Sequence, residues 1–140
     1  MGLASDSLVM AAVGNRVTAL ESQEVIFQVV SRGLATYQTD NKQIEKAMRS
    51  IKAIKSDSLS FLKSQADHSF DIIYADPMFS ETIKESENLN AIKPLANGSR
   101  LTREWLDEAK RVGRERIIIK AHFRDSVFEE LGFERQVRPN

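Results

Sequence analysis

The segment DIIYADPMF, Asp71 to Phe79, decides the fold of this 140-residue chain. Ile72 to Tyr74 is a short run of β-forming residues between polar ones, a pattern typical of a strand buried on both faces. Asp76-Pro77 ends the run, because proline fixes its own φ and biases the preceding residue away from helix. The segment therefore predicts a strand with a carboxylate on a stiff turn at its carboxyl end, where open α/β sheets bind ligands.

Strand and helix patterns alternate on both sides of this segment. Further strands are predicted at Arg16 to Leu20, Ile51 to Lys55, Ile117 to Ile119 and Phe133 to Val137, the third of them also doubly buried. Helices are predicted at Leu8 to Val13, Gln23 to Tyr37, Ser58 to Lys63, from Thr102 up to Gly113, and at Ser126 to Leu131 before Gly132, while Asp40 to Arg49 is a short helix or a long loop. This alternation predicts an α/β fold with a doubly wound, mostly parallel sheet.

Composition limits the classes of protein and of site. With 41% hydrophobic and 29% charged residues, no apolar run long enough to span a bilayer and no recognisable signal peptide, we expect a single cytoplasmic domain over residues 1–140. The absence of cysteine and the presence of only two histidines argue against a metal centre. The formal net charge of zero gives no global attraction to nucleic acid.

Basic residues are nevertheless concentrated in one part of the chain. They are Lys110, Arg111, Arg114, Arg116, Lys120 and Arg124. Two interpretations stay open: a patch that faces phosphates, or a solvated helix end and strand flank.

Acidic residues follow three of the predicted strands, namely Glu21, Asp57 and Asp76. The carboxyl ends of parallel strands meet at one edge of a sheet, so we expect these carboxylates to line that edge. Glu21 either accepts hydrogen bonds from a ribose diol or caps the next helix, and Asp57 either binds the same ligand or caps the helix at Ser58. A glycine-containing loop also lies at a helix start. Because these acids and that loop occur in one chain, ligand binding is the favoured interpretation of the acids.

That loop is Gly2-Leu3-Ala4-Ser5-Asp6, directly before the first helix. Ser5, Asp6 or Ser7 is predicted to be the N-cap. Ala4 stands where a second glycine of a ligand-binding loop is expected, and alanine resists positive φ. The loop is therefore expected to curl less readily against a ligand.

Asp76-Pro77-Met78-Phe79 after Asp71 to Tyr74 resembles the fourth motif of class I S-adenosylmethionine-dependent methyltransferases. In particular, it is similar to the Asp-Pro-Met-Phe form of RsmJ-like enzymes, which methylate a guanine 2-amino group in small-subunit ribosomal RNA. Other segments resemble the first motif, the second strand with its ribose-binding acid, the adenine-side turn and the fifth strand of that family: Gly2 to Val9, Val17 to Glu21, Ser56 to Ser58 and Arg116 to Lys120.

The resemblance implies a role for each matching residue. In the cofactor site, Gly2 would contact S-adenosylmethionine. Ser5 and Asp6 would contact its methionine part, Glu21 and Ser22 the ribose, and Asp57 and Ser58 the adenine side. Asp76 would lie between cofactor and substrate. The Asp76 carboxylate and the Pro77 carbonyl would accept hydrogen bonds from the amine, and Phe79 would stack on a flipped-out base. Independently of the resemblance, Lys120 at the carboxyl end of a strand either meets a substrate phosphate or is the basic flank of a buried strand.

The chain also departs from the family pattern. Ser80 replaces a second proline, and Glu81, Glu85 and Glu87 dilute a basic run, so a DNA adenine or a small amine is an alternative substrate. The resemblance begins inside the first motif, so we expect the family's first and last strands to be cut off from this chain, or to be supplied by a neighbouring copy in a homodimer. A non-catalytic, nucleotide-binding Rossmann-like module is the alternative from another functional class.

Overall fold

The computed structural model describes residues 1–77 and 101–137. Of these, Met1–Ser58 belong to one compact unit, and residues 59–77 with 101–137 belong to a second. Each unit contains helices and one pair of parallel strands, which confirms the α/β class. Phe79, Ser80 and the acidic residues that follow lie outside the described residues, so the predictions made for them stay predictions.

Met1–Ser58, the described part of the first unit, contains three helices and two strands. In chain order they are α1 (Ser5–Ala12), β1 (Thr18–Glu21), α2 (Glu24–Thr36), α3 (Lys42–Ser50) and β2 (Lys52–Lys55). The strands pair in parallel from Thr18 with Lys52 to Glu21 with Lys55. The ladder continues past β2, because the Ser56 N–H donates to the Glu21 carbonyl at 3.0 Å. The carboxyl ends of both strands therefore lie side by side.

Small side chains dominate the core of the first unit. Its buried residues are Ala4, Ala11, Ala19, Leu34, Ala47, Met48 and Ile51. The undecided segment before β2 is a helix, because the Asn41 side chain caps it by accepting hydrogen bonds from the Gln43 and Ile44 N–H groups. Alanine-rich contacts allow α1 and α3 to pack closely against each other and bring the start of α1 into the core.

The second unit has the larger apolar side chains. Its elements are α4 (Ser58–Ser64), β3 (Phe70–Ala75), α5 (Arg103–Val112), β4 (Gly113–Ile119) and α6 (Val127–Leu131). The predicted stripe of α5 is confirmed: Trp105, Leu106, Ala109 and Val112 are all at most 4% exposed. They pack with Leu62, Ile119, Val127 and Leu131 into one core. Thr102 caps α5 by accepting a hydrogen bond from the Trp105 N–H at 3.1 Å.

The prediction that β3 and β4 are buried on both faces was wrong for the described part of the chain. Ile73 and Ile119 face the core, but Ile72 is 48% exposed and Ile118 is 41% exposed on the other face. The described helices of this unit pack on the face of the strand pair that carries Ile73 and Ile119. The continuous apolar runs in β3 and β4 therefore did not show whether one face of the strand pair or both faces are buried.

The predicted strand from Phe133 to Val137 was also wrong. The structure has no strand at these residues, and no described strand pairs with them. Phe133 instead packs against the core, and the Arg135 guanidinium lies 5.0 Å from the centre of the Phe128 ring. A β-forming composition produces a strand only where another strand accepts its backbone hydrogen bonds.

Gly113 joins α5 directly to β4 in a space that admits no side chain. A Cβ at this residue would lie 2.9 Å from the Ala109 carbonyl oxygen and 3.1 Å from Ile73 Cγ1. Gly113→Ala is therefore expected to destabilise the protein by about 1–3 kcal/mol, because a backbone oxygen cannot move aside cheaply. Urea unfolding measures this change.

Gly33→Ala is the matched control. Gly33 lies inside α2, and a Cβ there would meet nothing within 4 Å. Alanine should stabilise that helix by about 0.5–1 kcal/mol, since glycine is a poor helix former. Equal effects of the two substitutions would contradict the close contact at Gly113.

Candidate cofactor and substrate sites

The Gly2 loop curls tightly despite the alanine that was expected to hinder it. Gly2 and Ala4 both adopt left-handed backbone conformations, with φ of 51° and 61°. The Ala4 N–H donates to the Met1 carbonyl at 3.0 Å, and α1 starts immediately afterwards at Ser5. The expectation about Ala4 was therefore wrong. Its methyl group is buried in the core at 3% exposure, and that burial offsets a conformational cost of about 1–2 kcal/mol.

The predicted N-cap of α1 was wrong as well. Ala4 occupies the cap position, and no side chain of the loop accepts a capping hydrogen bond there. Ser5 is exposed and Asp6 is half-buried in the first turn of the helix. Ser5 and Asp6, the two predicted contacts to the methionine part of the cofactor, therefore directly follow the left-handed turn. Within the described part of the chain, a Cβ on Gly2 would meet nothing within 4 Å, so space adjoins the backbone at this turn.

Glu21 connects this loop to the carboxyl end of β1. Its carboxylate is 8% exposed; one oxygen accepts from the Gly2 N–H at 3.1 Å and the other from the Gln23 N–H at 2.9 Å. The Met1 nitrogen lies 3.4 Å from the first oxygen. Glu21 is not the N-cap of α2, because Gln23 occupies that position. The backbone donors fix the carboxylate and leave lone pairs that a diol could use.

Asp57 and Ser58 follow the neighbouring strand. Asp57 is exposed directly before α4, which starts at Ser58, so ligand binding and helix capping both stay open for it. Because Ser56 is hydrogen-bonded to the Glu21 backbone, this turn begins beside Glu21. Ser22, the second predicted ribose contact, is half-buried next to Glu21. The predicted cofactor residues of the first unit therefore lie at the carboxyl edge of one strand pair or at the loop bonded to it.

Asp76 and Lys120 form an ion pair at the carboxyl edge of the β3–β4 pair. Lys120 Nζ donates to Asp76 Oδ2 at 3.0 Å, and the side chains are 52% and 44% exposed. The Lys120 N–H also donates to the Ala75 carbonyl at 2.8 Å, so the register of the strands places the two residues side by side. Pro77, half-buried, follows Asp76 and restricts the turn.

The structure divides the basic residues into separate groups. The Arg111 guanidinium donates to the Leu62 and Gln65 carbonyls at 2.9 and 2.8 Å and pairs with Asp67 and Glu108. The hydrogen bonds to the carboxylates, Glu108 first and then Asp67, raise the pKa of Arg111 above its usual value. Arg111 therefore satisfies backbone carbonyls at the C-terminal end of α4. In the same way Arg114 pairs with Asp71, which favours the structural interpretation for both arginines.

In the loop after Lys120, the sequence led to no role for His122 or Phe123. There Phe123 is 50% exposed, the His122 ring centre lies 4.6 Å from its ring centre, and the Arg124 guanidinium lies 5.1 Å from it. The only signal in the sequence was an aromatic residue between a histidine and an arginine at a strand end.

Residues 1–77 and 101–137 contain neither a metal-binding cluster nor a membrane-spanning helix. No group of three or more histidine, aspartate and glutamate side chains in this part of the chain could hold a metal ion. Nor is any of its helices long and apolar enough to cross a membrane.

Comparison with known proteins identifies the family. A family described as "Putative SAM-dependent methyltransferase" matches residues 1–134. The chain belongs to this family. Uncharacterized protein YpiP of Bacillus subtilis is 32% identical over 136 residues, which cover 95% of this chain and 53% of YpiP.

Other relatives of the chain carry the name ribosomal RNA small subunit methyltransferase J, and two of them serve as examples. The Laribacter hongkongensis protein is 30% identical over 122 residues, which are 85% of this chain and 43% of that protein. The Acinetobacter baumannii protein is 34% identical over 97 residues, or 68% and 33% of the two chains. The chain thus spans about half the length, or less, of these relatives.

The family assignment confirms the resemblance drawn from the Asp71–Phe79 segment. The cofactor of a SAM-dependent methyltransferase family is S-adenosylmethionine, and the residues at the first strand pair suit it. Glu21 offers an oriented carboxylate, and the turn at Gly2 leaves space beside its backbone.

Proposed function

We propose that this protein transfers the methyl group of S-adenosylmethionine to an exocyclic amine, the 2-amino group of a guanine in small-subunit ribosomal RNA. The observation that carries the proposal is the Asp76 carboxylate, which Lys120 holds at a strand end next to Pro77. The relatives named for ribosomal RNA methylation support the choice of substrate. A substrate of this kind implies a cytoplasmic enzyme.

For the cofactor we propose a site made by residues of the first unit. Glu21, with Ser22, binds the ribose hydroxyls through the lone pairs that its backbone donors leave open. Gly2, Ser5 and Asp6 contact the methionine part, and Asp57 and Ser58 the adenine side. The left-handed turn at Gly2 and Ala4 supports this assignment, because it leaves the backbone open to a ligand.

Asp76 and Pro77 prepare the amine. An exocyclic amine is a poor nucleophile while its lone pair is conjugated with the base. Hydrogen bonds donated by the amine to the Asp76 carboxylate and the Pro77 carbonyl favour a pyramidal nitrogen with a localised lone pair. These acceptors also orient the nitrogen, and positioning accounts for much of the acceleration of such a transfer.

S-adenosylmethionine supplies a methyl group on a positively charged sulfur. The amine nitrogen forms the new N–C bond as the C–S bond breaks; the bonding pair stays on sulfur, which becomes a neutral thioether. The nitrogen then loses one proton, to the Asp76 carboxylate or to water. In this scheme Asp76 is the catalytic residue that touches the reacting nitrogen.

Four expectations from the sequence stay predictions. They are base stacking by Phe79, a substrate phosphate contact by Lys120, a single domain with a doubly wound, mostly parallel sheet that lacks its first and last strands, and a homodimer.

Mass mapping of ribosomal RNA tests the proposed function. Small-subunit RNA from cells that lack the protein should miss one methyl group on one guanine, and a plasmid copy of the gene should restore it. An unchanged guanine pattern would contradict the RNA substrate. Loss of a methyl group from DNA adenine instead would support the alternative substrate.

A further inference from the structure

The loop from Ala121 to Ser126, between β4 and α6, exposes a cluster that the packing of its unit does not require. We call His122, Phe123 and Arg124 the stacking cluster. Phe123 is 50% exposed and does not belong to the core, whereas Phe128 and Phe133 of the same unit pack against that core. The cluster exposes two aromatic rings and a flat guanidinium, close to one another.

Hydrogen bonds fix the shape of this loop. The Asp125 N–H donates to the His122 carbonyl at 2.9 Å, and the Arg124 N–H donates to His122 Nδ1 at 3.3 Å. Asp125 Oδ1 also accepts from the Val127 N–H at 2.9 Å, which connects the loop to the start of α6. The cluster is therefore held in place before any ligand arrives, which lowers the entropic cost of binding.

The chain places the stacking cluster near the proposed substrate amine. Phe123 follows Lys120 by three residues, and Lys120 is paired with Asp76. Three residues span at most about 11 Å even when fully extended. A base bound at Phe123 would therefore lie within the length of a few nucleotides of an amine at Asp76.

We infer that the stacking cluster binds an unpaired nucleobase of the RNA strand, next to the nucleotide that is methylated. Aromatic rings and arginine planes stack on exposed bases of single-stranded RNA. Histidine and arginine, rather than aliphatic side chains, flank the Phe123 ring, which suits a base and its phosphate better than an apolar protein surface. The chain has no formal net charge and so no global attraction to RNA. Local groups such as the stacking cluster would therefore supply the attraction.

Fluorescence anisotropy with a labelled, unstructured 12-nucleotide RNA of mixed sequence tests this inference. Phe123→Ala should weaken binding about tenfold or more, and Phe123→Trp should restore it to within about threefold, because any aromatic face stacks on a base. Arg124→Gln should reduce the slope of log affinity against log salt concentration by about 0.7, the value for one contact to a single strand.

Tyr37→Ala is the matched control. Tyr37 is 64% exposed and lies at the C-cap of α2, at the opposite end of that helix from Glu21. Its removal should leave RNA affinity within about twofold of wild type. Circular dichroism of each variant checks that the fold is retained, as expected for exposed side chains.

The inference rests on the proposed function, but the two can fail separately. If the wild-type protein methylates RNA and Phe123→Ala binds the 12-nucleotide RNA as tightly as wild type, the proposed role of the stacking cluster is wrong and the proposed function stands. If binding depends on Phe123 but no methyl group is transferred to RNA, the function fails and the cluster stands. An equal Phe123 dependence for a blunt RNA duplex, or at least tenfold tighter binding to DNA of the same sequence, would also overturn an RNA base as the occupant.

Discussion

Replacing Asp76 with alanine is expected to slow methyl transfer about 10²–10³-fold and to leave S-adenosylmethionine affinity within about twofold of wild type. Alanine removes the carboxylate that accepts the amine's hydrogen bond, and the predicted cofactor contacts of the first unit remain. Asp76→Asn should be intermediate, because its amide oxygen still accepts one hydrogen bond but carries no charge to pair with Lys120. Single-turnover rates and calorimetry measure the two quantities.

Asp71→Ala provides the matched control for Asp76. Both residues are exposed aspartates, Asp71 within β3 and Asp76 directly after it, and both pair with a cation: Asp71 with Arg114, and Asp76 with Lys120. Asp71, however, lies near the amino end of β3, away from the proposed chemistry. Its replacement should change the transfer rate less than about threefold. Similar losses for Asp71→Ala and Asp76→Ala would show that a surface ion pair, and not an amine acceptor, had been measured.

The second large effect is expected at Glu21. Glu21→Gln should weaken S-adenosylmethionine binding about 10²-fold, because the charge that strengthens hydrogen bonds from the ribose is lost. The amide would also turn an NH₂ group toward a backbone N–H, either that of Gly2 or that of Gln23. Isothermal titration calorimetry gives the dissociation constant. Thermal unfolding of the same sample shows whether the fold is retained at the titration temperature.

Glu24→Gln is the corresponding control. Glu24 lies three residues further along the chain, is exposed and pairs with Lys55; this hydrogen bond lowers the pKa of Glu24. The residue faces solvent, and no role in cofactor binding is proposed for it. Its replacement should leave the dissociation constant within about twofold of wild type. Equal affinities for the Glu21 and Glu24 variants would contradict the ribose contact.

Elements with a strong period and clear ends were predictable from the sequence. The α5 stripe of Trp105, Leu106, Ala109 and Val112 follows directly from helical spacing, and Gly113 ends that helix as expected. Gly132 adopts the left-handed conformation, with φ of 73°, that ends α6. These features depend on local chemistry, which a single sequence contains.

Features that depend on distant neighbours were not predictable in the same way. Whether Phe133 to Val137 forms a strand depends on a pairing partner, and whether Ile72 and Ile118 are covered depends on what packs on the second face. Ala4 adopts a positive φ because its methyl group enters a core assembled from α1, α3 and β1. At all of these positions, tertiary packing and not the conformational preference of the local sequence decides the structure.

The candidate sites show the same division. The strand-end positions of Glu21 and Asp76 follow from the apolar runs that precede them, so the sequence could locate both acids. Their partners could not be predicted, since Gly2 is 19 residues from Glu21 and Lys120 is 44 residues from Asp76. Phe123 was overlooked because exposure decides its significance, and exposure becomes visible only in the folded chain.

The most direct test of the central claim is single-turnover transfer of a labelled methyl group. The purified protein is mixed with S-adenosylmethionine labelled in the methyl group and with small-subunit ribosomal RNA from cells that lack the protein; the RNA is then digested and its nucleosides separated. We predict that the label appears in N2-methylguanosine from one position in the RNA and is lost in Asp76→Ala. Label on any other nucleoside, or no label from protein that binds the cofactor, would contradict it.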